Sequence, residues 1–203
     1  MTNCLYIVRH GETVFNRAAR MQGRQDHTPL TKSGVEQAIS VGEKLLEHLG
    51  PKPNLDLWAS PAGRTRQTMA LICDVLDLNY FDVKLDSRLL EIDVGDWSDR
   101  PYAEIHEEIG PFVDMEHRLF TKRPPGGEWY DDVAKRMQSW LGDFDKSRPS
   151  LVVTHGMAGR VLRGEILNSG EIAPDAPQGS IFHIAKNREQ ILTPRVVGAM
   201  TPA

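Results

Sequence analysis

Four polar segments, each following a run of apolar residues, carry side chains suited to phosphoryl chemistry. The first is Arg9-His10-Gly11, directly after the β-favouring residues 5–8. Arginine offers a planar fork of donors for two phosphate oxygens, histidine offers an uncharged nitrogen nucleophile, and glycine lets a ligand approach the backbone closely. A polar turn can have the same composition. The choice between a phosphate site and a polar turn therefore depends on the other three segments.

The second segment joins a predicted strand to a predicted helix. Residues 57–59 are mostly apolar and Ser60-Pro61 follows them, which predicts Ser60 as the N-cap and Pro61 at the first helical position. This places Arg64 in or near the first helical turn. An arginine beside the free N–H groups of a helix suits an anion.

The third and fourth segments add a carboxylate and a second histidine. Glu91 follows an apolar pair and precedes a glycine and an aromatic residue, a setting in which a carboxyl group can act as a general acid, although the same residue could be a solvated loop charge. His155-Gly156 ends a second apolar run, residues 151–153. Because open α/β sheets hold their ligands at the carboxyl ends of strands, two strands that both end in His-Gly favour a shared site.

In their order along the chain these motifs resemble the histidine phosphatase superfamily, the phosphoglycerate mutase-like proteins. The resemblance runs from about Leu5 to about Leu162, most of the chain. The matching residues are Arg9-His10-Gly11-Glu12-Thr13 with Asn16, then Gly23, Asp26, Leu30, Thr31 and Gly34, then Ser60-Pro61, Arg64 and Gln67-Thr68, then Glu91, Pro125-Gly126-Gly127-Glu128 and Thr154-His155-Gly156. Each motif is weak by itself, but the ordered set is highly specific.

The resemblance implies phosphoryl transfer through a phosphohistidine, with His10 as nucleophile and Glu91 as the acid that protonates the leaving oxygen. The catalytic set it implies is His10, Glu91, His155, Arg9 and Arg64. The phosphate- or substrate-binding set is Gly11, Asn16, Gln22, Gly23 and Gly156. The arginines and the second histidine would neutralise the phosphoryl oxygens without a metal ion or another cofactor.

The resemblance leaves open which acceptor takes the phosphoryl group. Hydrolysis of a small phosphomonoester is expected first, because phosphoglycerate mutases usually follow the acid with Arg-x-Tyr, whereas Glu91 here precedes Ile92, Asp93 and Val94. A phosphoglycerate mutase, which would need 2,3-bisphosphoglycerate as primer, is the alternative. A non-catalytic protein that binds a phosphorylated ligand is a third and more remote alternative.

The elements that must position these residues alternate between strand and helix. The pattern predicts strands near residues 5–8, 55–60, 83–90 and 151–153, a helix capped by Thr31 or Ser33, further helices after Pro61, Gly127 and His155, and a terminal hairpin of residues 179–185 and 190–197. Such alternation predicts an α/β fold: a three-layer α/β/α sandwich whose mostly parallel central sheet has helices on both faces.

The length, composition and charge of the whole chain limit the domain organisation, partners and compartment that we expect. Its 203 residues, 40% of them hydrophobic, predict one domain over residues 1–203, with a lid or specificity insertion at about residues 96–128. A net charge of −4 argues against nucleic acid as a partner. Two isolated cysteines and the lack of a signal-like or membrane-spanning apolar run favour the cytoplasm and no membrane contact. The expected partner is a small-molecule phosphate ester. The sequence leaves the oligomeric state undecided, and a homodimer is one alternative because family members are often dimers.

Overall fold

A six-stranded sheet lies at the centre of the computed structural model, which describes residues 4–145 and 147–194. The strand order is β3-β2-β6-β1-β7-β8. The first four strands in that order are mutually parallel, β7 pairs antiparallel with β1, and β8 pairs antiparallel with β7. The strands of the sheet are β1 (Cys4–Arg9), β2 (Asp56–Ala59), β3 (Lys84–Leu85), β6 (Ser150–Thr154), β7 (Ile181–Ala185) and β8 (Arg188–Leu192). A separate hairpin is made of β4 (Val113–Asp114) and β5 (Leu119–Phe120).

Helices cover both faces of the sheet, as predicted. They are α1 (Val14–Arg17), α2 (Lys32–Leu49), α3 (Gly63–Leu76), α4 (Tyr102–Ile109), α5 (Tyr130–Asp143) and α6 (Gly156–Leu167). One buried cluster joins the sheet to α2 and α3, and a second joins the opposite face to α5 and α6. Within the described ranges no helix has both the length and the apolar character needed to cross a bilayer.

The sheet sits between the two helix layers because its central strands are apolar on both sides. In β1, Tyr6 and Val8 belong to the cluster with α2 and α3, whereas Leu5 and Ile7 belong to the cluster with α5 and α6. Alternate side chains of a strand point to opposite faces, so a continuous apolar run fits a strand covered on both sides.

The register of the parallel strands brings their carboxyl ends to one edge of the sheet. Arg9 pairs with Thr154 between β1 and β6, and the amide of His10 donates to the Thr154 carbonyl at 3.1 Å. On the other side of β6, the amide of Ser60 donates to the Val153 carbonyl at 3.0 Å. The residues that follow β1, β2 and β6 therefore meet at this edge.

The predicted start of α3 is wrong by two residues. The helix begins at Gly63, and its N-cap is Ala62, which makes no side-chain capping bond. Ser60 and Pro61 form the turn before it, because the Ser60 carbonyl accepts the Thr65 hydroxyl at 2.8 Å and the Ser60 hydroxyl is turned toward His155. Arg64 nevertheless lies in the first turn, as predicted.

Two predicted strands have different bounds from those expected. Of residues 83–90 only Lys84–Leu85 pair, because the Asp86 carboxylate accepts the Arg88 amide at 2.8 Å and starts the single-turn 3₁₀ helix Ser87–Leu89. The terminal hairpin turns at Lys186 and Asn187, both with positive φ, so β8 begins already at Arg188. The end of the predicted second arm, residues 195–197, lies outside the described residues.

The insertion at residues 96–128 contains a 3₁₀ turn (Gly95–Trp97), α4 and the β4–β5 hairpin. Aromatic rings join these pieces: Trp97 lies edge-on to Phe112 with centroids 5.0 Å apart and to Phe120 at 5.7 Å. Tyr102 stacks on Phe112 at 6.0 Å. The segment is thus attached to the hydrophobic cluster that includes α5 and α6.

A contact between two glycines ties α2 to the end of β1. Thr31 caps α2, its side chain accepting the Gly34 amide at 3.1 Å, and Gly34 then packs directly on the backbone of Gly11 and Glu12. A Cβ atom at Gly34 would lie 2.0 Å from the Glu12 carbonyl oxygen, and one at Gly11 would lie 2.2 Å from the Gly34 oxygen. The backbone beside His10 therefore depends on two positions without side chains.

We expect Gly34→Ala to lower the free energy of unfolding by about 3 kcal/mol, because the atoms that a methyl group would meet are backbone atoms that cannot move aside. Gly142→Ala, also in a helix, is the matched control, since a Cβ atom there meets nothing within 4 Å. That change should raise stability by up to about 1 kcal/mol through helix propensity. Urea unfolding followed by circular dichroism measures both, and equal effects of the two substitutions would contradict the packing argument.

Candidate active site

A single buried guanidinium lies between two histidines at the carboxyl edge of the sheet. Arg64, 1% exposed, directs its Nε–H toward both His10 Nε2 and His155 Nδ1, each at 3.2 Å. The two imidazole rings are 5.3 Å apart between centroids and inclined by 71°. Residues from the ends of β1 and β6 and from the first turn of α3 are therefore brought together, as predicted.

The other donors of Arg64 bind the loop that follows α1. Nη2 donates to the Gly23 carbonyl at 2.8 Å, and Nη1 donates to the Gln25 carbonyl at 2.7 Å and to the Thr28 hydroxyl at 3.1 Å. Burial lowers the pKa of Arg64 to about 10, while the charges of Glu91 and Asp26 oppose that shift. The side chain remains a cation at neutral pH, held by neutral acceptors.

The hydrogen bonds of His10 assign its tautomer. Nδ1 lies 2.8 Å from the Gly11 carbonyl oxygen, which can only accept, so Nδ1 carries the proton. Nε2 is therefore the nitrogen with the lone pair, and it faces Arg64. Burial, with the positive charge of Arg64, lowers the pKa of His10 well below its ordinary value, against the opposing effect of the Gly11 carbonyl.

His155 is held in the complementary way. Its Nε2 lies 2.7 Å from the Ser60 hydroxyl, and its Nδ1 accepts from Arg64. Burial again lowers its pKa well below the ordinary value, with further contributions from the charges of Arg64 and His10. Ser60, predicted as a helix cap, thus acts as the partner of the second histidine.

Glu91 lies at the N-terminus of α6. Its carboxylate accepts the amides of Ile92 and Ala158, both at 2.9 Å, and of Met157 at 3.2 Å. The carboxylate therefore satisfies free N–H groups of the helix that follows His155. This contact fixes the predicted acid relative to the second histidine.

A salt bridge braces the backbone that leads to Glu91. Arg136 of α5 donates to the carbonyls of Arg88 at 2.6 Å, Leu90 at 2.7 Å and Glu91 at 3.1 Å. Its guanidinium also makes two bonds of 3.1 Å to the carboxylate of Glu128, which accepts the Asp93 amide at 3.0 Å. The Gly-Gly-Glu motif thus contributes to the site through Arg136, a residue that no sequence motif marked.

These groups border a cavity of about 880 Å³. Of the predicted site residues, the cavity is lined by Arg9, His10, Asn16, Gln22, Gly23, Arg64, Glu91 and Gly156. Arg9 donates to the Ala176 carbonyl at 2.8 Å and pairs loosely with Asp175 at 3.4 Å. Its Nε is buried and has no hydrogen-bond partner among the described residues.

Asn16 and Gln22 both border the cavity. The Thr13 hydroxyl lies 2.9 Å from the side-chain oxygens of both residues and shares its one proton between them, and the oxygen of Asn16 also accepts the Thr13 amide at 3.1 Å. Because the oxygens are engaged with Thr13, the NH₂ groups are the ends that can donate to an anion.

Gly156 and Gly11, two of the three predicted glycines, differ in what they contact. Gly156 borders the cavity, and a Cβ atom there would lie 3.2 Å from the Arg9 guanidinium carbon, so this glycine makes room for the arginine. Gly11 does not border it: its amide donates to the Thr68 hydroxyl at 3.2 Å and its open side is filled by Gly34. The structure therefore explains this glycine by backbone packing instead of ligand approach.

Comparison with known proteins agrees with this arrangement. The family model described as "Histidine phosphatase superfamily (branch 1)" matches residues 5–184. The chain belongs to the histidine phosphatase superfamily. The membership expected from the motifs is confirmed, and with it the phosphoglycerate mutase-like α/β fold.

Relatives of this chain carry the names of two activities. Proteins called "Probable phosphoglycerate mutase GpmB" from Erwinia tasmaniensis and Enterobacter sp. (strain 638) are 37% and 38% identical over 168 residues, 80% of this chain and 74% of theirs. A solved mycobacterial glucosyl-3-phosphoglycerate phosphatase complexed with VO₃ has a TM-score of 0.75 at 28% identity, over 89% of this chain and 92% of that one. A solved protein of Thermus thermophilus, TTHB049, has a TM-score of 0.68 at 26% identity, over 98% of this chain and 99% of that one.

One feature of the site lay beyond sequence reasoning. The cavity is also bordered by Tyr102, Val113, Arg118 and Phe120, from the insertion whose residues carried no motif. Across residues 4–145 and 147–194, His, Cys, Asp and Glu side chains form no group of three that could hold a metal ion. Cys4 and Cys73 are both free thiols.

We expect His10 and His155 to remain neutral at pH 6, because burial and Arg64 lower the pKa of both imidazoles. Their ring ¹⁵N shifts in a two-dimensional NMR titration report this directly. His117 is the internal control: its exposed imidazole contacts the Asp114 carboxylate at 2.8 Å, which raises its pKa above the ordinary value, so it should be largely protonated at the same pH. An imidazole of His10 that becomes protonated at or above pH 6.5 would contradict the assignment.

Proposed function

We propose that this protein is a metal-independent phosphomonoesterase that hydrolyses a small phosphate ester through a phosphohistidine at His10. The observation that carries the proposal is the state of His10. Its proton is held by the Gly11 carbonyl at 2.8 Å, so the lone pair lies on Nε2, which faces the cation of Arg64 at 3.2 Å. A neutral nucleophile next to a buried cation suits attack on a phosphate dianion, since the cation offsets the charge of the phosphoryl oxygens.

The first step forms the bond between His10 Nε2 and phosphorus and breaks the bond between phosphorus and the ester oxygen. Glu91 gives its proton to that oxygen, so an alcohol leaves instead of an alkoxide. Arg9, Arg64 and the NH₂ groups of Asn16 and Gln22 bind the three equatorial oxygens. These groups position the phosphoryl unit, which is most of what the protein has to supply in phosphoryl transfer.

In the second step a water oxygen attacks phosphorus, Glu91 takes the proton of that water, and the bond between phosphorus and Nε2 breaks. Glu91 thus starts the cycle protonated. Its three amide contacts suit the anion, so we propose that the proton enters with the substrate, whose negative charge opposes a second negative charge beside it. The proposed cycle requires neither a metal ion nor another cofactor.

Replacing the nucleophile and the acid should have different consequences. His10→Ala should abolish turnover, because the covalent route is lost. Glu91→Gln should reduce kcat/KM for an alkyl phosphate by about a hundred- to ten-thousand-fold, but far less for p-nitrophenyl phosphate, whose leaving group needs no proton.

Glu104→Gln, an exposed glutamate of α4, is the matched control for the charge change. All assays contain excess EDTA, and a covalent ³²P label should be trapped on wild-type protein by alkaline denaturing quench but not on His10→Ala. Equal losses of the Glu91 variant on both substrates would contradict its role as acid, and failure to trap the label would favour a non-catalytic phosphate-binding protein.

Phosphoglycerate mutase is the second candidate, because relatives at 37% and 38% identity carry that name. Against it, the positions after the acid hold Ile92 and Val94, both 2% exposed, where a mutase usually has Arg-x-Tyr. We expect ³¹P NMR with 3-phosphoglycerate, primed by 2,3-bisphosphoglycerate in EDTA, to show no growth of 2-phosphoglycerate above the His10→Ala background. Growth at rates typical of central metabolism would make the protein a mutase.

A further inference from the structure

The predicted proton donor is flanked by apolar side chains. Ile92 and Met157 donate their amides to the Glu91 carboxylate at 2.9 and 3.2 Å, and both residues border the cavity, Ile92 with 2% of its surface exposed. Val94, two residues farther along, borders it as well. The ester oxygen that Glu91 protonates must therefore leave toward an apolar surface.

The insertion extends this surface. Tyr102, Val113 and Phe120 border the same cavity, and together with Ile92, Val94 and Met157 we call them the apolar wall. Phe112 supports two of them from behind, with ring centroids 6.0 Å from Tyr102 and 6.3 Å from Phe120. Tyr102 keeps 40% of its surface exposed, although its ring is fixed by stacking. This ring offers an aromatic contact that requires no rearrangement of the protein.

The cations near the apolar wall are mostly engaged with the protein itself. Arg20 donates to the Asp99 carboxylate at 2.8 Å, and buried Arg160 donates to the backbone carbonyls of Ala173, Arg118 and His117 at 2.7, 3.1 and 2.9 Å. The side chain of Arg118 lies at the exposed rim. The other side chains on this side of the cavity are apolar, and the positive charge of Arg160 is buried with its donors held by backbone carbonyls.

The size of the cavity also favours the binding of an apolar group at this wall. Its volume of about 880 Å³ lies within the range of pockets that hold drug-sized ligands. A phosphate group and a three-carbon acid would leave the apolar wall in contact with water. A larger apolar group would displace that water and gain the free energy of burial.

We infer that the apolar wall binds the leaving group, and that the substrates are phosphomonoesters whose alcohol carries an apolar group about the size of an aromatic ring. The inference rests on the proposed function, because that mechanism places the ester oxygen beside Glu91. Each methylene that becomes fully buried should improve binding about fourfold. An aromatic ring on Tyr102 adds contact area on top of this.

Equilibrium binding tests the inference without requiring turnover. The probes are ethylphosphonate, 2-phenylethylphosphonate and 2-carboxyethylphosphonate, which resist hydrolysis, measured by isothermal titration calorimetry on the wild-type protein. We expect the phenyl probe to bind about ten- to a hundredfold more tightly than the ethyl probe. Tyr102→Ser should reduce this ratio several-fold, and Tyr102→Phe should retain it.

Phe81→Ser is the matched control, because this aromatic side chain is 91% exposed and does not border the cavity. It should leave the ratio unchanged. Equal binding of the phenyl and ethyl probes would overturn the inference, and so would tighter binding of the carboxyl probe, which would assign this side of the cavity to Arg118 and an acidic substrate.

Turnover separates this inference from the proposed function. Ethyl phosphate and 2-phenylethyl phosphate have similarly poor leaving groups, so their kcat/KM ratio reports the leaving-group contact and not the acidity of the alcohol. Hydrolysis of both without preference would overturn the inference and leave the phosphatase intact. Selective phosphonate binding with no hydrolysis of either ester would overturn the proposed function and support the inference as a ligand site.

Discussion

The burial of Arg64 is the constraint on which the rest of the site depends. A guanidinium that is 1% exposed loses its hydration, and such a loss costs several kcal/mol unless polar groups replace the water. Within the described residues no carboxylate forms a salt bridge with it. Its donors are satisfied by carbonyls of residues 23 and 25, by Thr28 and by two imidazoles. A neutral acceptor shell around a cation leaves net positive charge, which is what a phosphate dianion requires.

The same requirement explains why the fold and the chemistry are inseparable here. The acceptors of Arg64 come from the end of β1, the loop before α2 and the end of β6, and Arg64 itself comes from the start of α3. Parallel pairing of β1 and β2 with β6 brings three of these four parts to one edge, and the contact of Gly11 with Gly34 holds α2 against that edge. Each imidazole must stay neutral to accept from Arg64, so the cation also sets the protonation state that nucleophilic attack needs.

Sequence reasoning succeeded where local pattern and topology decide the outcome. Apolar runs fixed β1 and β6, and the carboxyl-edge rule placed His10, Arg64 and His155 together. It failed where a distant contact decides. The hydroxyl of Ser60 turns to His155, 95 residues away, instead of capping α3. Gly11 makes room for a helix and not for a ligand, and Arg136 reaches back 45 residues to the carbonyl of Glu91. No spacing rule encodes such pairs, because they exist only after the sheet has formed.

The two ends of the cavity differ in how far the sequence predicts them. Its phosphate end consists of motif residues held by buried hydrogen bonds, and these residues carry most of the resemblance to the superfamily. Its other end is formed by residues 92–120, whose positions depend on aromatic packing around Phe112 and on Arg160 holding the turn at Arg118. In the proposed mechanism, the choice between water and a sugar-acid hydroxyl as acceptor depends on whether the second end presents charge or apolar surface to the leaving group. Here the fixed side chains beside Glu91 are apolar, which favours release of an apolar alcohol over retention of a charged one.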